Sequence, residues 1–267
     1  MLPVSPFCVM GIANITPDSF YDGGALETPA SAVRHCLRLL KQGAHCIDLG
    51  AASSRPGSRE LAPEEEQARL LPVLRGLRAH PAGRDAAVSV DTCRASTARL
   101  ALEAGADIIN DISACAFDAE LLDVLAEYKP GYVLMHRGPA GMRESPRYVD
   151  VVDEALHFFE KELTRLCAAG LAEQNIVLDP GIGFGKALEE TTALLRGIAR
   201  LGVLGRPLLA GLSMKSLFGD LLGLAPKRRG PATQVATALL AAKGVALHRV
   251  HDVTGALAAL RLVQAIG

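Results

Sequence analysis

The sequence predicts a single-domain α/β protein with the architecture of a (β/α)8, or TIM, barrel over residues 1–267. Short runs rich in Val, Ile and Leu alternate with longer Ala- and Leu-rich stretches of helical period, which is the pattern of repeated βα units. Strands this apolar are buried on both faces, as in a parallel sheet covered by helices. Eight such units in regular alternation favour closure into a barrel over an open sheet.

The eight units follow one another along the chain. The predicted strands span residues 7–12, 45–49, 87–90, 107–110, 132–135, 175–178, 207–210 and 246–250. The helices are predicted to begin near residues 29, 63, 95, 119, 149, 187, 231 and 254. Segments 14–28 and 50–63 are dense in Gly, Pro, Asp and Ser, and we expect them to be mobile active-site loops. No linker divides the chain, so one domain is expected.

The composition argues against several classes of protein. Lys and Arg number 28 against 29 Asp and Glu, so no global basic field exists to hold a nucleic acid. No apolar run approaches the roughly 18 residues that a membrane-spanning helix needs. The six cysteines include no C-x-x-C pair, which argues against a zinc knuckle or a disulfide framework. We therefore expect a cytoplasmic protein that acts on small molecules.

Nearly every predicted strand ends in an abrupt change from apolar to polar residues. In strand order, the polar residues are Asn14; Asp48, Ser53, Ser54 and Arg55; Asp91; Asn110 and Asp111; His136; Asp179; Ser213, Lys215 and Ser216; and Arg249, His251 and Asp252. Because the carboxyl ends of all strands of a parallel barrel open on one rim, these side chains are predicted to converge there.

Two chemistries can be separated within this rim. One set supplies carboxylates, an amide and an ammonium, which suit a flat heterocycle edged with donors and acceptors: Asp91, Asn110, Asp179 and Lys215. A second set supplies hydroxyl, guanidinium and imidazole groups, which suit a phosphate-like anion: Ser54, Arg55, Arg249 and His251. The predicted substrate therefore has a polar ring and an anionic tail. Asn14 offers an amide oxygen to a hard cation such as Mg2+.

Some of these residues have a second interpretation that stays open. Asp48 and Asp111 are also typical of residues that cap helices or hold loops. His136 has a core histidine as its alternative interpretation. The basic run 227–229 is typical of a solvated loop. In contrast, Lys215 and Arg249 would each place a costly charge at the inner end of a barrel strand, which favours a functional role.

The stretch 179–186 reads DPGIGFGK and matches neither standard nucleotide-binding spacing. Its glycines suit a close approach of the backbone to a flat ligand, with Phe184 placed to stack on it. A glycine-rich turn with an aromatic plug is the alternative interpretation.

Ordered motifs along nearly the whole chain resemble those of the dihydropteroate synthase family. The matching segments are VMGI at 9–12, NITPDSF at 14–20, SSRPG at 53–57, SVDT at 89–92, IND at 109–111, LMH at 134–136, LDPG at 178–181, GFGK at 183–186, Ser213 with Lys215 and Ser216, and RVHD at 249–252. Several such segments in one order are far more specific than any one alone.

The resemblance implies a (β/α)8 barrel transferase of folate biosynthesis that is a homodimer and uses Mg2+. It implies that the enzyme condenses 6-hydroxymethyl-7,8-dihydropterin pyrophosphate with para-aminobenzoate to give 7,8-dihydropteroate and pyrophosphate. The residues that it assigns to the pterin are Asp91, Asn110, Met135, Asp179, Phe184 and Lys215. Those that it assigns to the pyrophosphate are Ser54, Arg55, Arg249 and His251. It assigns Mg2+ to Asn14, and the para-aminobenzoate side to Thr16, Asp18, Phe20 and Ser216.

Two positions depart from the family pattern. The family usually reads Glu-Ser-Thr-Arg-Pro-Gly in the second loop, where this chain has Ala52 in place of Glu and Ser54 in place of Thr. The family also usually carries Arg before the lysine that follows the seventh strand, and here that residue is Met214. The loss of this cation is expected to weaken the binding of an anion or of aminobenzoate.

The expected mechanism is dissociative, with Lys215, Asp91, Asp179 and Arg249 as its catalytic residues. Pyrophosphate leaves first, and the electron-rich pterin delocalises the carbocation that the arylamine then attacks. Two alternatives remain open. A pterin-dependent methyltransferase would share the pterin pocket but would need no pyrophosphate site. A divergent non-catalytic pterin-binding paralogue is the second, because of Met214 and Ala52.

Overall fold

Eight parallel strands form one sheet in the computed structural model, which describes residues 6–15, 28–51, 61–138 and 148–267. The strands are β1 (Cys8–Asn14), β2 (Cys46–Gly50), β3 (Ala87–Asp91), β4 (Ile108–Asp111), β5 (Gly131–Met135), β6 (Ile176–Asp179), β7 (Leu209–Ala210) and β8 (Leu247–Val250). They hydrogen-bond in the order β6-β5-β4-β3-β2-β1-β8-β7. A parallel bridge between Leu178 and Leu208 joins the two ends, so the sheet closes into the predicted barrel.

Helices lie between successive strands. They are α1 (Pro29–Lys41), α2 (Pro63–Ala79), α3 (Pro81–Arg84), α4 (Ala95–Glu103), α5 (Leu121–Tyr128), α6 (Val151–Ala168), α7 (Leu188–Gly197), α8 (Leu217–Leu222), α9 (Gly230–Ala241) and α10 (Val253–Ile266). The short helices α3 and α8 were not predicted, because four to six residues are too few to show a helical period. In the described part of the chain, every helix is too short or too polar to cross a bilayer.

The predicted strands agree with the observed ones to within two residues at each end. The main difference is that several strands continue one or two residues further, so that polar residues such as Asn14, Asp91 and Asp179 still belong to the hydrogen-bonded ladder. These side chains therefore stand on rigid strand ends rather than on loops. The two predicted active-site loops fall mainly on residues 16–27 and 52–60, which lie outside the described residues.

The two-residue alternation of the strands explains how polar groups reach the barrel mouth. A buried cluster fills the lower interior of the barrel with Cys8, Met10, Cys46, Ile108, Val133, Leu209 and Leu247. Side chains two residues further along a strand point to the same face. Asp48 follows Cys46 in this way, Asn110 follows Ile108, and Arg249 follows Leu247. The barrel mouth is therefore a second layer of inward-pointing side chains, directly above the apolar layer, and its members are largely polar.

A guanidinium clamp holds the opposite end of the barrel. Arg78 donates hydrogen bonds to the carbonyl oxygens of Gly105, at 2.6 and 3.0 Å, and of Ala86, at 2.6 Å. It also pairs with Asp107 at 2.7 Å, whose carboxylate accepts the amide of Val88 at 2.8 Å. One side chain therefore ties the end of α2 to the start of both β3 and β4.

Replacing Arg78 with Met should lower the free energy of unfolding by about 2 to 3 kcal/mol, because several carbonyl oxygens lose their donor at once. Arg99 provides the matched control, since its ion pair with Glu127 is exposed and Arg99→Met should leave the urea midpoint nearly unchanged. Urea denaturation followed by circular dichroism measures both variants. Equal midpoints for the two would contradict the clamp.

Candidate active site

A buried ion-pair network lies at the centre of the barrel mouth. Arg249 of β8 donates from Nε to Asp48 of β2 at 2.6 Å and from Nη2 to Asp91 of β3 at 3.1 Å. Asn110 of β4 donates from Nδ2 to the two oxygens of Asp48 at 3.3 and 3.4 Å. Asp48 has no solvent exposure at all. Four strands, β2, β3, β4 and β8, thus contribute to one network, as their shared rim predicts.

This network has two carboxyl groups for one guanidinium. Burial raises the pKa of Asp91 to about 7, with Arg249 opposing the shift and Asp48 adding to it. One guanidinium therefore serves two carboxylates. A ligand that donates hydrogen bonds to Asp91 would relieve this imbalance, and the donor edge of a polar heterocycle has that property.

Asp179 and Lys215 lie within electrostatic reach of each other on the other side of the mouth. Asp179 ends β6, and its Oδ1 accepts the amide of Gly181 at 2.8 Å. Burial raises the pKa of Asp179, while the Gly181 bond and the charge of Lys215 oppose the shift. Burial lowers the pKa of Lys215 to about 8, with Asp179 opposing. The pKa values of both groups are thereby shifted towards neutral pH, where small changes in their surroundings alter their charge.

The ammonium of Lys215 is held by the turn after β6. Its Nζ lies 4.3 Å from the ring centroid of Phe184 and donates to the carbonyl oxygen of Ile182. A cation over an aromatic face is attracted by the ring quadrupole. Phe184, predicted to stack on a ligand, thus lies beneath the lysine that the sequence places at the same site. Met135, the buried last residue of β5, pairs in register with Asp179.

The loops after β7 and β8 are tied to each other. Ser213 Oγ lies 2.9 Å from His251 Nδ1 and accepts the amide of His251 at 3.2 Å. The exposed Ser216, three residues after Ser213, directly precedes α8. Met214 lies between Ser213 and Lys215 in the left-handed region, at φ 60°. Arg229 donates to the Met214 carbonyl at 3.2 Å, so the turn that bears Lys215 has a guanidinium against its main chain.

Asn14 and Asp91 approach each other above Gly50. A β-carbon at Gly50 would lie 3.0 Å from Asn14 Oδ1 and 3.8 Å from Asp91 Oδ2. Glycine at this position therefore leaves room between an amide oxygen and a carboxylate oxygen. Both are hard ligands of the kind that Mg2+ prefers.

The structure distinguishes between the two interpretations of Asp48, Asp111 and His136. Asp111 is fully buried and holds the loop after β4, accepting hydrogen bonds from the amides of Ser113 and Cys115 and from the hydroxyl of Tyr132. His136 is a core histidine whose ring packs 5.0 Å from that of Phe158, and burial lowers its pKa to about 3. Asp48, in contrast, neither caps a helix nor holds a loop but belongs to the mouth.

The basic run 227–229 divides in two. Lys227 and Arg228 are exposed, as a solvated loop predicts, whereas Arg229 is partly buried and holds the turn at Met214. The residues Thr16, Asp18, Phe20, Ser54 and Arg55, together with Ala52, lie outside the described residues. Of the predicted anion-binding set, Arg249 and His251 are therefore the members whose positions are known.

The sequence predicted that Asp48 lies on the rim but assigned it no role in the site, and it assigned none to Lys186. The alternation along β2 could have identified Asp48, because it lies two residues beyond the interior Cys46. Lys186 belongs to the glycine-rich motif 179–186, but the direction in which its side chain points depends on how that turn folds. It is buried and donates to the carbonyl oxygens of His136 and Gly181 at 3.0 and 3.1 Å.

Comparison with known proteins gives a consistent set of relatives. A family model described as "Pterin binding enzyme" matches residues 10–251. A dihydropteroate synthase of Synechocystis is 42% identical over 248 residues, which are 92% of this chain and 85% of that protein. Xanthomonas albilineans dihydropteroate synthase with 4-aminobenzoic acid superposes with a TM-score of 0.90 at 40% identity, covering 98% of this chain and 94% of that one. The same enzyme with 7,8-dihydropteroate gives 0.88 at 39%, covering 99% and 95%.

The raised pKa of Asp91 predicts how stability depends on pH. Between about pH 4 and 7, the folded state keeps a proton that the unfolded chain has already released. The free energy of unfolding should therefore fall as the pH rises, by about 1 kcal/mol for each pH unit relative to Asp91→Asn. Urea denaturation at pH 4.5, 5.5 and 6.5 measures this difference. The exposed Asp220 provides the control, since Asp220→Asn should keep the wild-type slope. Parallel curves for Asp91→Asn and wild type would disprove the assignment.

Proposed function

This chain belongs to the pterin-binding enzyme family, and on that basis we propose that it is a dihydropteroate synthase. The proposed reaction condenses 6-hydroxymethyl-7,8-dihydropterin pyrophosphate with para-aminobenzoate to give 7,8-dihydropteroate and pyrophosphate in folate biosynthesis. The observation that carries the proposal is the convergence of Asp91, Asn110, Asp179 and Lys215 on one barrel mouth. One domain over residues 1–267 is also proposed, supported by the single sheet and by the family match.

The two buried carboxylates and their partners are suited to a pterin. Asp91 and Asp179 accept hydrogen bonds from the amino and ring N–H groups of the heterocycle. Asn110 both donates and accepts, and Lys215 donates to a ring acceptor. Met135 and Phe184 supply apolar surface against the ring faces. Burial raises the pKa of both carboxyl groups, and hydrogen bonds from a bound pterin would oppose that shift by stabilising the ionised form.

Arg249 and His251 form the described part of the proposed pyrophosphate site. The contacts of Arg249 with Asp48 and Asp91 use two of the five N–H groups of its guanidinium, which leaves donors for an anion. The predicted members Ser54 and Arg55 complete the site in the proposal. A cationic site of this kind stabilises negative charge as it develops on the leaving pyrophosphate.

The residues of this chain support a dissociative reaction because they offer charge rather than a strong base near the reacting carbon. Asp91 and Asp179 hold the pterin and stabilise the carbocation left by the departing pyrophosphate. Lys215 and Arg249 stabilise charge on the leaving group. Closure of the loops that carry Thr16, Asp18 and Phe20, beside Ser216, would exclude water that otherwise traps the cation.

Mg2+ is the proposed cofactor, with Asn14 as its protein ligand. Among the residues whose structure is described, no three His, Cys, Asp or Glu side chains cluster as a metal cage. The amide oxygen of Asn14 beside Asp91 does fit a cation that keeps several waters and binds substrate phosphates. When bound, the metal would neutralise charge on the pyrophosphate.

The relatives favour synthase activity over the two alternatives. The proteins described above are named dihydropteroate synthases, and one of them is titled as a complex with 7,8-dihydropteroate. A methyltransferase would have no use for an anion site built from the guanidinium of Arg249 and the imidazole of His251 at the mouth. A non-catalytic paralogue would bind a pterin pyrophosphate and release nothing. The placement of Arg229 against Met214 also leaves a cation near the position where the family arginine is missing.

The purified protein should release pyrophosphate from the pterin substrate when para-aminobenzoate and Mg2+ are present. Replacing Lys215 with Met should lower kcat at least 100-fold, since a charge that stabilises the transition state is lost. Lys227→Met is the matched control, because Lys227 is exposed on the loop before α9. A pyrophosphate-release assay measures all three proteins. Pterin binding without release by the wild type would favour the paralogue, and near wild-type kinetics for Lys215→Met would refute the role of this lysine.

A homodimer is part of the proposal, and two adjacent helices supply a surface for it. We call this surface the α9–α10 face: Val235 and Leu239 on α9, and Leu262 and Ile266 on α10, are all more than half exposed. On each helix the two residues are four apart and so lie on one side. Exposed apolar residues clustered on packed neighbouring helices are typical of an interface.

Replacing Leu239 with Asp should convert the dimer to a monomer, because a charge would be buried in the middle of the α9–α10 face. Size-exclusion chromatography with light scattering measures the mass. Val149→Asp serves as the control, since Val149 is equally apolar and fully exposed before α6. A monomeric wild type would contradict the dimer, and a dimeric Leu239→Asp variant would contradict the choice of face.

A cytoplasmic location is likewise proposed. All six cysteines are free, and four of them are buried, as expected in a reducing compartment.

A further inference from the structure

The buried ammonium of Lys186 is the strongest feature that the proposed mechanism leaves unused. Its Nζ donates to three carbonyl oxygens: those of His136 at 3.0 Å, Gly181 at 3.1 Å and Phe184 at 3.4 Å. The first belongs to the loop after β5 and the other two belong to the turn after β6. An ammonium has three N–H donors, so these contacts account for all of them.

The turn after β6 packs backbone against backbone on the loop after β5. Gly181 has φ +66°, and a β-carbon there would lie 1.9 Å from the carbonyl oxygen of His136. The amide of Gly138 donates to the Phe184 carbonyl at 3.2 Å. Several carbonyl oxygens consequently point into one small volume, where a buried donor must satisfy them. Lys186 is that donor.

The same turn holds Lys215 in place. The carbonyl oxygen that accepts from Lys215 belongs to Ile182, and the ring beneath its ammonium belongs to Phe184. Both groups lie within the segment that Lys186 fastens at Gly181 and at Phe184. The position of the Lys215 ammonium thus depends on the shape that Lys186 gives to the turn.

We infer that Lys186 is a positioning residue, which acts through the turn 179–186 to place Lys215 and Phe184 for the reaction. This inference rests on the proposed synthase function. Lys186 also shares the field of Asp179 with Lys215: burial lowers the pKa of Lys186 to about 7, Asp179 opposes the shift and Lys215 adds to it. The ammonium groups of Lys186 and Lys215 therefore interact electrostatically, in addition to sharing contacts with the turn 179–186.

A double-mutant cycle tests this role. Lys186→Met should lower kcat about 100-fold, as expected for a misplaced reacting group, while the KM for para-aminobenzoate changes less than about threefold. In a Lys215→Met background, the same change should lower kcat less than about threefold further, because both residues act through one ammonium. A merely structural lysine would give independent, multiplicative losses, and that result would overturn the inference.

The control is another lysine that binds main-chain carbonyls. Lys243 donates to the carbonyl oxygens of Leu195 and Arg196 at 3.1 and 3.0 Å, at the end of α7 and away from the mouth. Lys243→Met should keep kcat within about threefold of wild type. An equal loss of kcat in this variant would show that removing any lysine bound to main-chain carbonyls has the same effect, and would overturn the inference. If Lys186→Met fails to fold, Lys186→Gln replaces it with the same expected results, because its amide keeps two donors but ends one bond short of the lysine nitrogen.

A measurement without substrate separates this inference from the proposed function. Hydrogen exchange followed by mass spectrometry reports on the turn, where the Gly181 and Phe184 amides are hydrogen-bonded. Exchange in the segment 179–186 should be at least tenfold faster in Lys186→Met than in wild type and unchanged in Lys243→Met. Unaltered exchange would overturn the positioning role even in an active enzyme. A wild type that releases no pyrophosphate would instead count against the synthase assignment.

Discussion

The buried charge of Arg249 is the constraint on which the candidate site depends. A guanidinium at the inner end of a barrel strand is stable only when carboxylates from other strands surround it. Asp48 and Asp91 do so, and Asn110 supports Asp48 in turn. Strands β2, β3, β4 and β8 are thereby joined across the mouth. The network stabilises the mouth of the barrel and leaves a second carboxyl group whose hydrogen bonds a ligand can complete.

On the other side of the mouth, a second buried cation is also compensated by a carboxylate, but with fewer direct contacts. Asp179 and Lys215 compensate each other, yet the ammonium also relies on the Phe184 ring and on a main-chain carbonyl. The site therefore combines rigid strand ends with a turn held from below by Lys186. Strand ends fix the groups that would bind the pterin, and the turn fixes the cation that would assist departure of the leaving group.

Much of the fold could be predicted because its periodicities are local. Runs of apolar residues with helical stretches between them reveal eight strands, and Pro29 and Pro63 mark the helix starts that the structure has. The polar residue after each strand also predicts which side chains share the rim. The short helix α8 was not predictable, because six residues are too few to show a helical period. The bridge that joins β6 to Leu208 was not predictable either, because a single bridge has no period.

The barrel, the family and the chemical types of group at the mouth could all be predicted from the amino-acid sequence, because strand alternation and ordered motifs are properties of the chain. Which of these groups pair with one another became clear from the folded structure alone. It placed Asp48 under Arg249, turned Asp111 and His136 away from the site, and buried Lys186 against the carbonyls of two loops. Such choices depend on distances between residues far apart in the chain and on the cost of burying an unpaired charge. The cost of an unpaired charge depends on how deeply it is buried, and burial arises only when the chain folds.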